Sequence, residues 1–222
     1  MFRDATLMAG KDLRVELRSR VTTQQVAPFA ILLLVLFGVA LDPDRGILTR
    51  ASSGLYWIAV LFCALLAIQR AFAIESADGG RDALRLSGLD PAGIFLGKAM
   101  AVAAQLAALE VVLALGVIVL YGAEVTGAVL LLATCVAATI GLAAAGTLYG
   151  VVAAGLRVRD TLLPILLLPV LTPVLIGATR AFDAALGGAA SDGWPWCGLL
   201  VAFALAYTAV GTLAFGTLLE ES

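Results

Sequence analysis

The chain has 222 residues, of which 62% are hydrophobic, and a mean hydropathy of +1.04, so an ordinary soluble domain is excluded. Its net charge is -2 and its basic residues form no concentrated surface, which excludes nucleic-acid binding. The sequence has no histidine, and Cys63, Cys135 and Cys197 are far apart, so no metal site and no disulfide framework is predicted.

An amphipathic helix is predicted before the first apolar run. Leu7, Leu13 and Leu17 recur at near-helical spacing among Lys11, Arg14 and Arg18. This pattern is typical of a helix that lies along a membrane surface with basic residues near anionic lipid. A solvated helical extension is the alternative interpretation.

Six apolar runs are each long enough to cross the bilayer as a helix of about 20 residues. Their predicted bounds are residues 21–41, 54–74, 98–121, 127–155, 161–181 and 196–219. The sequence therefore predicts a single membrane domain over residues 1–222. Its fold class is an all-α polytopic helix bundle with six transmembrane helices and an N-terminal interfacial helix.

The distribution of Lys and Arg predicts the orientation of these spans. Eleven of the 14 basic residues lie on one side of the six-span arrangement, and only Arg45, Arg50 and Arg180 lie on the other. Because short cytoplasmic loops carry the excess of positive charge, both termini are predicted to be cytoplasmic.

The polar connection between the second and third spans, residues 75–97, predicts a short amphipathic helix between breakers. Such a helix can dock in the groove of a soluble partner or lie on the membrane surface. The candidate docking residues are Glu75, Asp78, Gly79, Arg81, Asp82, Leu84 and Leu86.

The third span contains two polar residues, Gln105 and Glu110. Glu110 is the only acid well inside a span, and the two residues do not share a helical face. Intramembrane acids are functional candidates because their burial in hydrocarbon is costly. Glu110 is predicted either to line a path or bond a partner helix, or to be a carboxyl group satisfied within the bundle.

The fourth span has a strip of small residues, Gly146, Gly150 and Ala154, that predicts close helix packing; packing within the chain is favoured, and packing between chains is the alternative. The fifth span contains Pro164, Pro169 and Pro173, which remove helical hydrogen bonds and make it a candidate hinge.

No nucleotide-binding, hydrolase or metalloprotease motif is present, so no catalytic residue is assigned and the chain is predicted not to be an enzyme. ATP hydrolysis, where the function requires it, belongs to another chain.

Several stretches resemble a known transporter family. Glu75, the Gly79–Gly80 pair, Pro91 and Gly97–Lys98 are similar to the same connection in type-2 ABC exporter permeases. Residues 54–57, 65–70, 162–173, 178–179 and Asp183, together with Arg14, Arg18 and Ser19, resemble the CcmB family, historically called haem exporter protein B. The resemblance covers nearly the whole chain.

The resemblance implies a permease subunit in the bacterial inner membrane that works in cytochrome c maturation. It implies a CcmA-like ATPase that binds ATP, together with CcmC-like and CcmD-like membrane partners and a possible second copy of the chain. Haem would be handled by the complex, and ATP hydrolysis would drive haem delivery or release of the haem chaperone. Two alternatives stay open: an exporter permease for lipid, drug or polysaccharide, and a membrane scaffold that transports nothing.

Overall fold

The computed structural model describes residues 1–20, 22–41, 45–76, 86–154 and 159–221. Within these ranges the secondary structure is helical and contains no strand. The elements, in chain order, are α1 (Phe2–Ser19), a π-helical turn (Thr22–Val26), α2 (Ala27–Ala40), α3 (Arg45–Ser76), α4 (Pro91–Tyr121), α5 (Ala128–Ala154), α6 (Arg159–Leu186) and α7 (Ala190–Glu221). The predicted all-α helix bundle is confirmed.

Five helices, α3 to α7, are each long and apolar enough to cross a membrane. A sixth span results if α1 and the segment Gln24–Ala40, which meet at a bend of 54°, are counted together. The bend separates α1 from the apolar α2, and the position of α1 at the membrane surface stays a prediction.

Three helices begin earlier than the apolar runs indicate: α3 begins at Arg45 rather than residue 54, α4 at Pro91 rather than Lys98, and α7 at Ala190 rather than Trp196. The helices continue through polar residues because local bonds support their first turns. In α4, the side chain of Asp90 accepts a hydrogen bond from the amide of Ala92 at 3.2 Å, and Pro91 occupies the first turn.

Helix α5 occupies the centre of the bundle, where it packs against α3, α4, α6 and α7. A Cβ atom at Gly146 would lie 2.1 Å from Ile68 Cδ1, and one at Gly150 would lie 2.2 Å from the ring of Phe72. The strip of small residues on α5 therefore admits side chains of α3, which confirms the predicted packing within the chain.

One face of α1 packs on the first turns of α4. Ala5, Met8 and Ala9 are buried in this contact, whereas Leu7 and Leu17 are exposed. The backbone of α1 approaches Gly97 so closely that an added Cβ would lie 2.6 Å from the Ala5 carbonyl oxygen. Helix α1 is thus present, with α4 covering its small-residue face, Leu7 and Leu17 pointing outward and Leu13 partly buried.

We call the end of the bundle where α1 meets α3 and α4 the α1 end, and the end where α4 turns into α5 the opposite end. At the opposite end, the amide of Gly127 and the hydroxyl of Thr126 both donate to the Ala185 carbonyl, at 2.8 and 2.7 Å. The Tyr121 hydroxyl donates to the Leu34 carbonyl at 2.8 Å, and Ser53 donates to Asp183. These bonds join most of the spans to one another at this end.

Candidate functional site

The predicted docking connection lies at the α1 end, between the end of α3 and the start of α4. Asp78, Gly79, Arg81, Asp82 and Leu84 fall outside the described residues.

The described residues that precede α4 differ in exposure. Glu75 lies in the last turn of α3. Leu86 is 86% exposed, and Leu89 is partly buried against the core. Gly88 has a φ of 68°, a left-handed conformation that favours glycine, and it directs the chain into the cap of α4. An exposed leucine is therefore available for contact next to a fixed helix start.

Two ion pairs connect α1 to the helices that flank the connection. Arg70 Nε of α3 donates to Glu16 Oε2 at 3.3 Å, and Lys98 Nζ of α4 lies 3.5 Å from Asp12 Oδ2. The Lys98 ammonium also lies 5.0 Å from the centre of the Phe72 ring. Helix α1 thus joins the last turns of α3 to the first turns of α4.

Lys98 is only 1% exposed, although the sequence places it at a span boundary. A buried ammonium group requires close partners, and the Asp12 carboxylate supplies the opposite charge. Asp12 and Glu16 are not among the residues predicted to carry function. Their signal is their four-residue spacing, which places both acids on one face of α1.

Gln105 lies beside this ionic cluster and away from Glu110. It lines a small cavity of about 20 Å³ together with Asp12 and Glu16, and that volume suits roughly one water molecule. The structure therefore separates the two intramembrane polar residues, as their spacing on α4 predicts.

Glu110 is 6% exposed, and its Oε1 accepts a hydrogen bond from the Thr139 hydroxyl of α5 at 2.5 Å. The Tyr56 hydroxyl of α3 donates to the backbone carbonyl of Glu110 at 3.4 Å and lies 3.8 Å from Cys135 Sγ. These contacts join α3, α4 and α5 at one level of the bundle.

A cavity of about 420 Å³ adjoins Glu110 between α4 and α5. Its lining is apolar apart from Glu110, Thr139, Cys135 and the Tyr56 hydroxyl. Exposed side chains of Val111, Leu132 and Val136 form its rim, so it opens on the outer surface of the bundle. The volume is in the range of small-molecule pockets.

The three prolines of the candidate hinge lie inside one continuous helix, α6. Pro169 and Pro173 are exposed and Pro164 is partly buried. The Thr172 hydroxyl donates to the Leu168 carbonyl at 3.0 Å, in the stretch between the last two prolines. The helix therefore accommodates the prolines without a break.

The described part of the chain contains no group of three or more His, Cys, Asp or Glu residues that could hold a metal ion. The three cysteines are free thiols; Cys63 and Cys197 are buried and Cys135 is partly buried.

Comparisons with known proteins give one consistent result. A family model described as "CcmB protein" matches residues 4–222. A relative from Bradyrhizobium diazoefficiens, described as "Heme exporter protein B", is 30% identical over 206 residues, which are 92% of this chain and 91% of the relative.

Two further relatives carry the same description. The one from Pseudomonas aeruginosa is 28% identical over 204 residues, covering 91% of this chain and 92% of the relative. The one from Haemophilus influenzae is 29% identical over 179 residues, covering 79% of each chain. The similarity thus extends over the connection, the span with Glu110 and the proline-rich helix.

Proposed function

Because the chain belongs to the CcmB family, we propose that it is the membrane subunit of a haem exporter complex that acts in cytochrome c maturation. The observation that carries this proposal is the match of the family model to residues 4–222, which leaves almost no part of the chain unassigned. Five spans meet the length and hydropathy of membrane helices, and a multi-pass permease subunit needs such helices.

A genetic experiment tests this function. Deleting the gene in its host is expected to abolish covalent attachment of haem to c-type cytochromes, measured by haem staining of membrane fractions. The full chain supplied on a plasmid is expected to restore the staining. Normal staining in the deletion strain would contradict the proposal.

We place ATP hydrolysis on a CcmA-like partner, because the sequence contains no phosphate-binding loop. CcmC-like and CcmD-like membrane proteins complete the proposed assembly in the inner membrane, with both termini of this chain in the cytoplasm. The excess of Lys and Arg in the loops at the α1 end supports this orientation.

The ATPase is proposed to bind the connection around Leu86. Closure of the ATPase on ATP would move the start of α4, and the ion pairs of Asp12 and Glu16 would pass the displacement to α1 and α3. A contact at this end therefore acts on three helices together.

Leu86→Asp tests the docking contact directly. Leu86 is 86% exposed, so aspartate is expected to leave folding unchanged while it removes an apolar contact. We expect at least a fivefold loss of the co-purifying ATPase in mild detergent. Val125→Asp, at an exposed apolar position in the opposite-end loop, is the matched control and is expected to retain the ATPase. Equal recovery from both variants would contradict docking at Leu86.

A further inference from the structure

The groove between α4 and α5 has a floor of small residues on α4. Ala103, Ala107 and Ala114 line it at spacings of four and seven residues, which places them along one helical face. From Ala103 to Ala114 the groove follows α4 for about 16 Å, or three helical turns. Alanines in such a row let the backbone of another helix approach closely.

The carboxyl group of Glu110 lies in the middle of this otherwise apolar groove. Its Oε1 accepts from Thr139, and among the described residues Oε2 has no hydrogen-bond partner. No ion pair of Glu110 with any Lys or Arg of the described ranges is present either. A carboxyl group at this depth in hydrocarbon requires hydrogen-bonding partners, because leaving one unsatisfied is costly. The occupant of the groove is therefore expected to provide a hydrogen-bonding side chain.

The depth of Glu110 decides between lipid and protein as the occupant. Glu110 lies about 16 Å along α4 from Tyr121 and about 28 Å from Pro91, at 1.5 Å per residue. Lipid headgroups lie near the ends of the span, and acyl chains carry no hydrogen-bonding group at the level of Glu110. A transmembrane helix brings polar side chains to this depth and also matches the length of the alanine floor.

We infer that this groove seats a transmembrane helix of a second membrane subunit, of which a polar side chain forms a hydrogen bond with the Glu110 carboxyl group. The inference rests on the proposed function to the extent that it requires a membrane partner. The groove lies on the exposed surface of α4 and α5, away from the connection, so the helix and the ATPase bind separate surfaces.

Photo-cross-linking in native membranes tests the identity of the occupant. A benzophenone amino acid is placed at Val136 on the groove rim, with Val201 on the exposed surface of α7 as the control position. We expect ultraviolet light to join Val136, and not Val201, to a different integral membrane chain identified by mass. Adducts with lipid alone, with a second copy of this chain, or no adduct would overturn the inference.

Substitutions in the groove test the geometry. Ala107→Leu fills the floor, whereas Ala108→Leu makes the same change at an exposed position of α4 outside the groove. We expect Ala107→Leu to lower the Val136 cross-link at least threefold and Ala108→Leu to leave it unchanged. Equal yields from the two variants would contradict a helix on the alanine floor.

The hydrogen bond is tested by Glu110→Gln and Glu110→Leu. Glutamine keeps a hydrogen-bonding group at both terminal positions and is expected to retain the cross-link. Leucine keeps the volume and removes both hydrogen-bonding groups, so the yield is expected to fall about 3- to 20-fold, as for loss of one interhelical hydrogen bond. Equal yields from the two variants would overturn the role of Glu110.

Co-purification of the ATPase with each variant separates the two proposals. It is expected to stay unchanged in the groove variants, because docking lies at the other surface. Loss of the ATPase from the unsubstituted chain would count against the proposed function, whereas a Val136 cross-link to another membrane chain would still support the groove.

Discussion

Lys98 fixes the position of α1 through a charge that lies inside the protein. Its ammonium is 3.5 Å from Asp12 and 5.0 Å from the Phe72 ring centre, and the residue is 1% exposed. Removing one partner of a buried pair leaves the other charge uncompensated, which costs about 3–5 kcal/mol. The buried pair therefore contributes more to the position of α1 than the exposed basic residues do.

Asp12→Ala is accordingly expected to destabilise the protein by about 3 kcal/mol and to loosen α1, because it removes the carboxylate that faces the buried Lys98 ammonium. The measurements are thermal unfolding in detergent and hydrogen exchange of α1 amides. Lys11→Ala is the control, because Lys11 also pairs with Asp12, at 3.1 Å, but its side chain is 49% exposed. That surface pair is worth at most about 1 kcal/mol, so a comparable loss in both variants would contradict the role of Lys98.

For single residues, the sequence predicts which side chains share a helix face better than it predicts which side chains contact each other across helices. The five-residue separation of Gln105 and Glu110 correctly places them on different faces, because a helix has 3.6 residues per turn. Nothing in that periodicity predicts that Asp12 faces Lys98 or that Glu16 faces Arg70. Those contacts depend on how α1 docks, which is a tertiary property.

Among the helices, the contact of α1 with α4 depends on glycine. A Cβ at Gly97 would lie 2.6 Å from the Ala5 carbonyl oxygen and from Met8 Cβ, and one at Gly93 would lie 2.9 Å from the Met1 carbonyl oxygen. Backbone atoms of a packed helix cannot move aside as a flexible side chain can. Even a methyl group is therefore expected to displace α1.

Gly97→Ala is expected to expose α1 to limited proteolysis and to destabilise the protein by about 1–3 kcal/mol. Gly198→Ala in α7 is the matched control, because nothing lies within 4 Å of a Cβ at that position. The control is expected to be neutral or slightly stabilising, since alanine has the higher helix propensity. Identical protease patterns for the two variants would refute close packing at Gly97.

Helix α6 offers a test of the proposed hinge. Pro169→Ala restores a backbone donor in a continuous helix and is expected to raise thermal stability, by up to about 3 kcal/mol. Were the hinge required, haem attachment to cytochromes in cells carrying this variant would fall despite the higher stability. Pro195→Ala makes the same change in α7 and is expected to leave haem attachment intact. Unchanged attachment in the Pro169 variant would reject the hinge.

Hydropathy located the helices but not their ends. An apolar run shows where lipid or the core surrounds a helix, whereas the ends depend on caps such as Asp90 and on backbone bonds through polar residues. Helices α3, α4 and α7 consequently begin outside the predicted spans. Likewise, Leu7 and Leu17 of α1 face outward because its small residues give the closer contact with Gly97.

For the molecule as a whole, the topology is open to a direct test. Single cysteines at Leu86 and Glu124, in a background lacking the native cysteines, lie at the α1 end and the opposite end. We expect an impermeant maleimide to label the Glu124→Cys chain in cells with a permeabilised outer membrane, and the Leu86→Cys chain only after lysis. Labelling of Leu86→Cys before lysis would show that the orientation is opposite to the predicted one and would contradict the proposed ATPase contact.

The family could be recognised from sequence because its characteristic residues are spread over nearly the whole chain, from Arg14 to Asp183. The groove at Glu110 could not be predicted from sequence, because its lining depends on how α4 and α5 are rotated relative to one another. An intramembrane carboxyl group identifies a candidate position, and only packing shows which neighbours it has and which surface it adjoins.

The hydrogen bonds to the Ala185 carbonyl have a mechanical consequence for this architecture. They fasten the turn before α5 to the last turn of α6 at a single main-chain carbonyl, whereas α1 is held to α4 by packing and one ion pair and to α3 by a second ion pair. A force applied to the α1 end beside Leu86 would thus move the opposite end of the helices least. The helices would then pivot about the opposite end, near Thr126, and separate most at the α1 end, where the ATPase is proposed to bind.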